Sequence, residues 1–147
     1  NIHPYTEYQM RLDSVLKLQK DWSLDIEYTD HYGLREFLRT VVNNEENRCV
    51  FCYSMRLEET AKAAKKMRLD GFTTSLLVSP YQKFDKIIET GREMEKRYSI
   101  PFYMEDFRPG WKKGMQLSKE LGLYRQKYCG CIYSEMEKYL RKTDSKK

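Results

Sequence analysis

The sequence lacks long apolar runs and the pattern of a secretory signal. No stretch approaches the roughly 18 consecutive apolar residues of a membrane-spanning helix, and the first residues show no signal-peptide pattern. We therefore expect a cytoplasmic protein with no membrane partner. Disulfides are rare in that compartment, so the four cysteines are expected to take part in metal or redox chemistry.

A strong excess of positive charge is also missing. The 27 Lys and Arg against 22 Asp and Glu give a formal net charge of +5, which solubility alone would explain. The sequence has 12 tyrosines, several of them beside cations, as in LYRQKY (123 to 128). Because aromatic faces stack on unpaired bases while cations bind phosphate, this composition favours a nucleic-acid partner slightly. The alternative is that the tyrosines are ordinary core and rim residues.

Helical and strand-like apolar patterns alternate along the chain. Helical spacing predicts helices near residues 6–19, 34–42, 57–67, 80–98, 111–121 (broken by glycines) and 134–141, with Ser79 as the N-cap of the fourth. The segments LDIEY (24–28), FTTSLLV (72–78) and PFYM (101–104) are predicted to be strands. This order predicts a single α/β domain over residues 1 to 147, with a parallel sheet flanked by helices in a Rossmann-like, three-layer arrangement. The active site would lie where the strands end, at TDHYG (29–33), SPYQ (79–82) and EDFRPG (105–110).

The four cysteines stand in two closely spaced pairs. Cys49 and Cys52 have C-x-x-C spacing, and Cys129 and Cys131 flank Gly130. Either spacing lets two thiolates converge on one metal ion or cluster at a tight turn. No histidine lies near either pair, which argues against a mixed Cys/His zinc site. Zinc and iron-sulfur clusters both accept thiolates, and buried free cysteines or a redox dithiol are further alternatives.

Four blocks of the sequence resemble a known family. RCVFCYSMRLEETAKAA, GFTTSLLVSPYQ, FYMEDFRPG and LGLYRQKYCGCIYS are similar, in order and spacing, to signature blocks of the QueH family of epoxyqueuosine reductases. The resemblance implies an enzyme that reduces the epoxide of epoxyqueuosine in tRNA, which is the last step of queuosine biosynthesis. It also implies an iron-sulfur cluster, expected to be 4Fe-4S, and a further iron beside it. The matching Cys49, Cys52, Cys129 and Cys131 would be the metal ligands.

The sequence departs from the family at its start. Family members carry an N-terminal strand and a motif of adjacent cysteines before the NIHP segment, which here begins at Asn1. Either the chain is a fragment or its metal site is assembled differently. We favour the fragment, because the missing strand would leave a central sheet edge uncovered.

Candidate catalytic and substrate-binding residues lie mainly at the predicted strand ends. Reduction of an epoxide takes two electrons and two protons, with electrons from the cluster and an unidentified external donor. Asp106 is the first candidate for proton donor and Asp30 the second, with a helix cap or salt bridge as the alternative for both. The predicted substrate-binding residues are Thr74, Ser79, Tyr81, Gln82, Arg108, Tyr124, Arg125 and Tyr128. Helix capping and surface solvation are the competing explanations for these residues.

Two other functions fit the same residues. One is a zinc-stabilised RNA-binding module without catalysis, and the other is a thiol-disulfide oxidoreductase. Colour distinguishes them, because an iron-sulfur protein is brown, a zinc protein is colourless and a bare dithiol consumes a thiol reagent.

Overall fold

The computed structural model describes residues 1–29 and 31–144. Six α-helices and three short 3-10 helices form within these residues. The α-helices are α1 (Tyr5–Trp22), α2 (Leu34–Val41), α3 (Arg48–Lys66), α4 (Phe84–Tyr98), α5 (Trp111–Glu120) and α6 (Ile132–Asp144). The 3-10 helices are Glu45–Asn47, Ser75–Val78 and Arg108–Gly110. Among the described residues, no helix is both long enough and apolar enough to cross a membrane.

The predicted parallel sheet is wrong, since the described residues contain no strand. Phe72 and Phe102 form a single isolated parallel bridge, with Phe72 N donating to Pro101 O at 2.9 Å. The pairing stops there because the Thr74 hydroxyl accepts a hydrogen bond from Leu76 N at 3.2 Å and begins a 3-10 helix. The protein is therefore helical rather than a Rossmann-like α/β structure.

The segment LDIEY, also predicted to be a strand, has no regular structure. Its alternation does not correspond to a buried face, because Leu24 and Tyr28 are 41% and 44% exposed. The Tyr28 hydroxyl instead donates to Gln19 Oε1 at 2.9 Å. A period-2 pattern predicts a strand only where one face is covered, and this one is open.

The described chain groups into two compact units. Among the described residues, unit 1 comprises residues 1–29, 31–38 and 115–144, and unit 2 comprises residues 39–114. One cysteine pair belongs to each unit, with Cys129 and Cys131 in unit 1 and Cys49 and Cys52 in unit 2. The single-domain description stays a prediction.

The core of unit 2 lies between α3 and α4. Its buried members are Tyr53, Leu57, Ala61, Ala64, Phe72, Leu77, Ile87, Met94, Ile100 and Phe102. The α3 members recur every three or four residues, which places them on one face of the helix. Gly91 lets α4 pack directly against the Phe102 ring, because a Cβ at position 91 would come within 2.3 Å of that ring.

Unit 1 contains a cluster of aromatic rings near the start of α1. His3 lies completely buried, with its ring 4.8 Å from Phe37 and 5.7 Å from Tyr32 between centroids. Tyr32 also contacts the rings of Tyr5 and Tyr8 edge-on or tilted. This cluster anchors the N-terminal segment within unit 1.

Candidate functional site

The first cysteine pair lies in the first turn of α3. The helix begins at Arg48, earlier than its apolar spacing predicted, so the pair stands on a helix rather than at a tight turn. Residues three apart on a helix are neighbours on one face. Both cysteines are partly buried, and Cys49 packs against the unit 2 core. The partial positive charge at a helix start favours an anionic group bound nearby.

The second pair lies in the loop that leads into α6. Gly130 between the two cysteines has φ +138°, a backbone conformation that side chains disfavour. Ser134 joins the pair: its N–H donates to Cys131 Sγ at 3.4 Å, and its hydroxyl oxygen accepts from the Cys129 thiol at 3.1 Å. The two sulfurs are therefore held near each other at the start of a helix.

The protonation of this pair follows from the contact between its sulfurs. A hydrogen bond with Cys131 raises the pKa of the Cys129 thiol, and desolvation of the sulfur raises it further. Metal binding would have to displace that proton, since the thiolate is the ligand form.

The donor chemistry fits a thiolate-bound metal, with two sulfurs available in each unit. Among the described residues, no three His, Cys, Asp or Glu side chains come together as a metal site. Each cysteine pair alone offers two sulfur atoms, fewer than a metal site needs. Which metal the sulfurs bind stays a prediction.

An ion pair on α1 borders the second cysteine pair. Glu7 and Arg11 bond at 2.7 Å, and their side chains are only 5% and 14% exposed. The Arg11 guanidinium also lies 5.8 Å from the centre of the Tyr128 ring. Sequence reasoning missed both residues, although a Glu and an Arg four positions apart in a helix are a recognisable signal.

The two tyrosines predicted to stack on a base are engaged within unit 1. The Tyr124 hydroxyl donates to Glu7 Oε2 at 2.5 Å, and burial together with this bond raises the pKa of Tyr124 to about 12. The Tyr128 hydroxyl donates to His3 O at 2.6 Å, and burial raises the Tyr128 pKa as well. Arg125 is exposed. Substrate binding by these three residues stays a prediction.

An open cleft of about 730 Å³ lies in unit 2. Thr74 and Asp106, both predicted as site residues, line it. The other lining residues are Thr73, Ser75, Val78, Glu105, Phe107, Pro109 and Gly110. The cleft thus brings together residues 73–78, which the sequence placed in a strand, and residues 105–110, which it placed at the end of another strand.

Asp106 forms an ion pair with Arg108 at the edge of this cleft. Its two carboxylate oxygens accept from Arg108 Nε at 2.7 Å and Nη2 at 2.6 Å. These hydrogen bonds lower the pKa of Asp106, so the group is ionised and accepts rather than donates. Arg108 also lies 4.1 Å from the centre of the Phe84 ring. The catalytic role of Asp106 stays a prediction, and it would require the carboxylate to take up a proton first.

Of the other predicted residues of unit 2, two side chains accept hydrogen bonds within the unit and one is exposed to solvent. Gln82 Oε1 accepts from the Tyr53 hydroxyl at 2.8 Å, and Ser79 Oγ accepts from Tyr81 N at 3.3 Å. The Tyr81 side chain is 81% exposed, and its ring meets Trp111 edge-on at 5.7 Å. Trp111 was not foreseen as a site residue. Asp30, the second candidate proton donor, lies outside the described residues.

The chain matches the model of a family described as epoxyqueuosine reductase QueH over residues 1–137. It belongs to that family. The resemblance seen in four sequence blocks is thereby confirmed, and QueH family membership makes the chain an oxidoreductase. The matched residues include all four cysteines, the cleft and the Glu7–Arg11 pair.

Three curated QueH proteins are 32% to 36% identical to the chain over the aligned residues. The protein named epoxyqueuosine reductase QueH of Dehalococcoides mccartyi is 34% identical over 139 residues, which cover 95% of this chain and 76% of the relative. The QueH of Thermotoga maritima is 36% identical over 147 residues, with 94% and 77% covered. The QueH of Helicobacter pylori is 32% identical, with 91% and 39% covered.

Proposed function

We propose that the protein reduces the epoxide of epoxyqueuosine in tRNA to the alkene of queuosine, the last step of queuosine biosynthesis. The match to the QueH family over residues 1–137 carries this proposal. The cysteine pairs and the open cleft are consistent with it, because the reaction needs a redox site and a place for the modified base. Overall, the epoxide takes up two electrons and two protons, and one water is released.

An iron-sulfur cluster, of 4Fe-4S type, and a further iron are the proposed cofactors. The ligands would be Cys49 and Cys52 on α3 and Cys129 and Cys131 before α6. Their support is donor chemistry, because thiolates in closely spaced pairs are ligands that iron-sulfur clusters prefer. When bound, such a group supplies single-electron transfer and a Lewis acid. The electrons would come from an external reductant.

The cleft of unit 2 is the proposed site for the modified base. Thr74 and Asp106 line it, and their oxygens would hydrogen-bond the hydroxyls of the substrate. The exposed ring of Tyr81, with Trp111 beside it, offers a face on which a base can stack. Arg108 places a cation at the same edge, where it would meet phosphate if it were released from Asp106.

Turnover of a defined substrate tests the proposal. The full-length protein would be reconstituted anaerobically with iron and sulfide, reduced with dithionite, and given tRNA that carries epoxyqueuosine. Mass spectrometry of the digested tRNA should show queuosine at the expense of epoxyqueuosine. Cys129→Ser and Cys52→Ser should lose both the brown colour and the product. A colourless, zinc-containing protein that binds tRNA without product would contradict the proposal and favour the RNA-binding module.

A further inference from the structure

The loop that carries Cys129 and Cys131 is bound through its backbone. Arg11 donates from Nη2 to Tyr128 O and from Nη1 to Cys129 O, both at 3.0 Å. The next carbonyl, that of Gly130, accepts from the backbone N–H of His3 at 2.7 Å. Three successive carbonyls are thus fixed from one side. The peptide planes of the loop cannot rotate without breaking one of these bonds.

Arg11 is itself held in one orientation. Its Nε and Nη2 donate to Glu7 Oε1 at 2.9 and 2.7 Å, while the other Glu7 oxygen accepts from the Tyr124 hydroxyl at 2.5 Å. The planar guanidinium presents several N–H groups in a fixed geometry, which a lysine ammonium cannot reproduce. We call Glu7, Arg11 and Tyr124 the Arg11 clamp.

Gly130 shows how closely the loop lies against Arg11. A Cβ at this position would stand 3.3 Å from Arg11 Nη1 and 3.5 Å from Ile2 Cγ1. A glycine at positive φ therefore allows the two carbonyls before it to reach the guanidinium. The loop conformation and the clamp fit each other.

We propose that the Arg11 clamp is a positioning device for metal binding: Arg11 fixes the loop in the conformation in which the sulfurs of Cys129 and Cys131 face one metal. This inference rests on the proposed function, because it takes these cysteines as ligands. Arg11 does not itself touch the metal. Its effect is to hold two ligands in place before the metal arrives, which removes the cost of ordering them upon binding.

Arg11→Lys keeps the positive charge and loses the planar guanidinium, so it separates the effect of charge from the effect of hydrogen-bond geometry. We expect the affinity of the reconstituted protein for iron to fall by about 10- to 100-fold, the usual effect of removing a group that orients a metal ligand. Competition with a ferrous chelator measures this. The visible spectrum and the midpoint potential of the remaining iron should shift too. The control is Arg92→Lys, which alters an exposed Arg–Glu pair on α4 and should match the wild type.

Circular dichroism of the iron-free proteins separates positioning from folding. A role in folding alone would lower helix content or thermal stability and leave the spectrum and potential of the iron unchanged, which would overturn the proposal. If Arg11→Lys does not fold, Tyr124→Phe decides, since it removes only the bond to Glu7 Oε2 and should weaken iron retention in the same direction. Wild-type iron retention in the folded variant would also overturn the proposal. A wild-type protein that takes up no iron would instead remove the proposed function, and the clamp's role with it.

Discussion

At the scale of single residues, His3 is the most unusual side chain in the structure. It is fully buried, and neither ring nitrogen has a hydrogen-bond partner among the residues that the structure describes. Burial lowers the pKa of His3 from 6.5 to about 4, so the imidazole is neutral at physiological pH. A neutral ring packed against Tyr32 and Phe37 is tolerated, whereas a charged one would not be.

This burial predicts that acid destabilises the protein through His3. In the unfolded chain His3 takes up a proton below pH 6.5, but the folded chain resists this until about pH 4. The unfolded state therefore gains protons first, and the free energy of unfolding falls as pH drops through that window, by up to about 3 kcal/mol. His3→Leu should remove this part of the loss, as measured by urea unfolding at about pH 8 and about pH 4.

The control is His31→Leu, because the His31 side chain is 60% exposed. Equal pH dependence in His3→Leu and the wild type would show that His3 is not buried as described.

Asp106→Asn tests the candidate proton donor. An amide cannot relay a proton, so we expect turnover of tRNA-bound epoxyqueuosine to fall by about 10²- to 10⁴-fold while the iron content is unchanged. Asp21→Asn, at an exposed position near the end of α1, serves as the control. Unchanged turnover in Asp106→Asn would leave the ion pair with Arg108 as the only role of Asp106 that the structure supports.

At the scale of elements, two helical glycines predict opposite effects of the same substitution. Alanine is favoured over glycine in a helix by about 1 kcal/mol. A Cβ placed at Gly114 in α5 meets no described atom within 4 Å, so Gly114→Ala should stabilise the protein by up to that amount. At Gly91 the Cβ would enter the Phe102 ring, and overpacking costs about 1–3 kcal/mol, which outweighs the gain.

Urea unfolding of Gly91→Ala and Gly114→Ala measures the change in the free energy of unfolding for both variants, which should be negative for the first and positive for the second. A stabilised Gly91→Ala would contradict the packing of α4 on Phe102. A destabilised Gly114→Ala would mean that the exposed face of α5 is covered.

Helices α2 and α4 could be predicted from sequence because each has a periodic apolar face. Phe84, Ile87, Ile88 and Met94 predicted α4, although its start was placed at Pro80, and Leu34, Phe37 and Val41 predicted α2. The strand predictions failed, because segments of four to seven residues fit several local structures. In FTTSLLV the deciding feature is the Thr74 hydroxyl, which caps a 3-10 helix. In LDIEY the deciding feature is that no other described element covers the apolar side chains, and the alternation of apolar and polar residues does not reveal this.

The candidate site was predictable where short motifs carry it. The cysteine spacings and the family resemblance singled out both pairs as candidate ligands. Strand-end reasoning singled out Thr74 and Asp106, which line one cleft although the described residues form no sheet, and their roles stay predictions. The Arg11 clamp was not predictable, because Arg11 meets its loop partners 117 and 118 positions along the chain. Contacts at that separation leave no pattern in one sequence.

At the scale of the whole molecule, the net charge of +5 predicts salt-sensitive binding of tRNA. Each phosphate contact makes the plot of log affinity against log salt steeper by roughly 0.7 to 0.9. If Arg125 contacts one phosphate, Arg125→Gln should make the plot less steep by about that amount. Lys62→Gln is the control, because Lys62 pairs with Glu58 and Glu59 on α3. Filter binding between about 50 and 200 mM salt measures the slope, and binding that ignores salt would argue against phosphate contacts.

The position of Cys49 and Cys52 near the start of α3 has a consequence for the metal-free protein. The same helix builds the core of unit 2 through Leu57, Ala61 and Ala64, in turns that follow the cysteines. If these cysteines hold the proposed metal, its loss would leave the packing of those later turns in place, so the metal-free chain should stay folded and accept metal again.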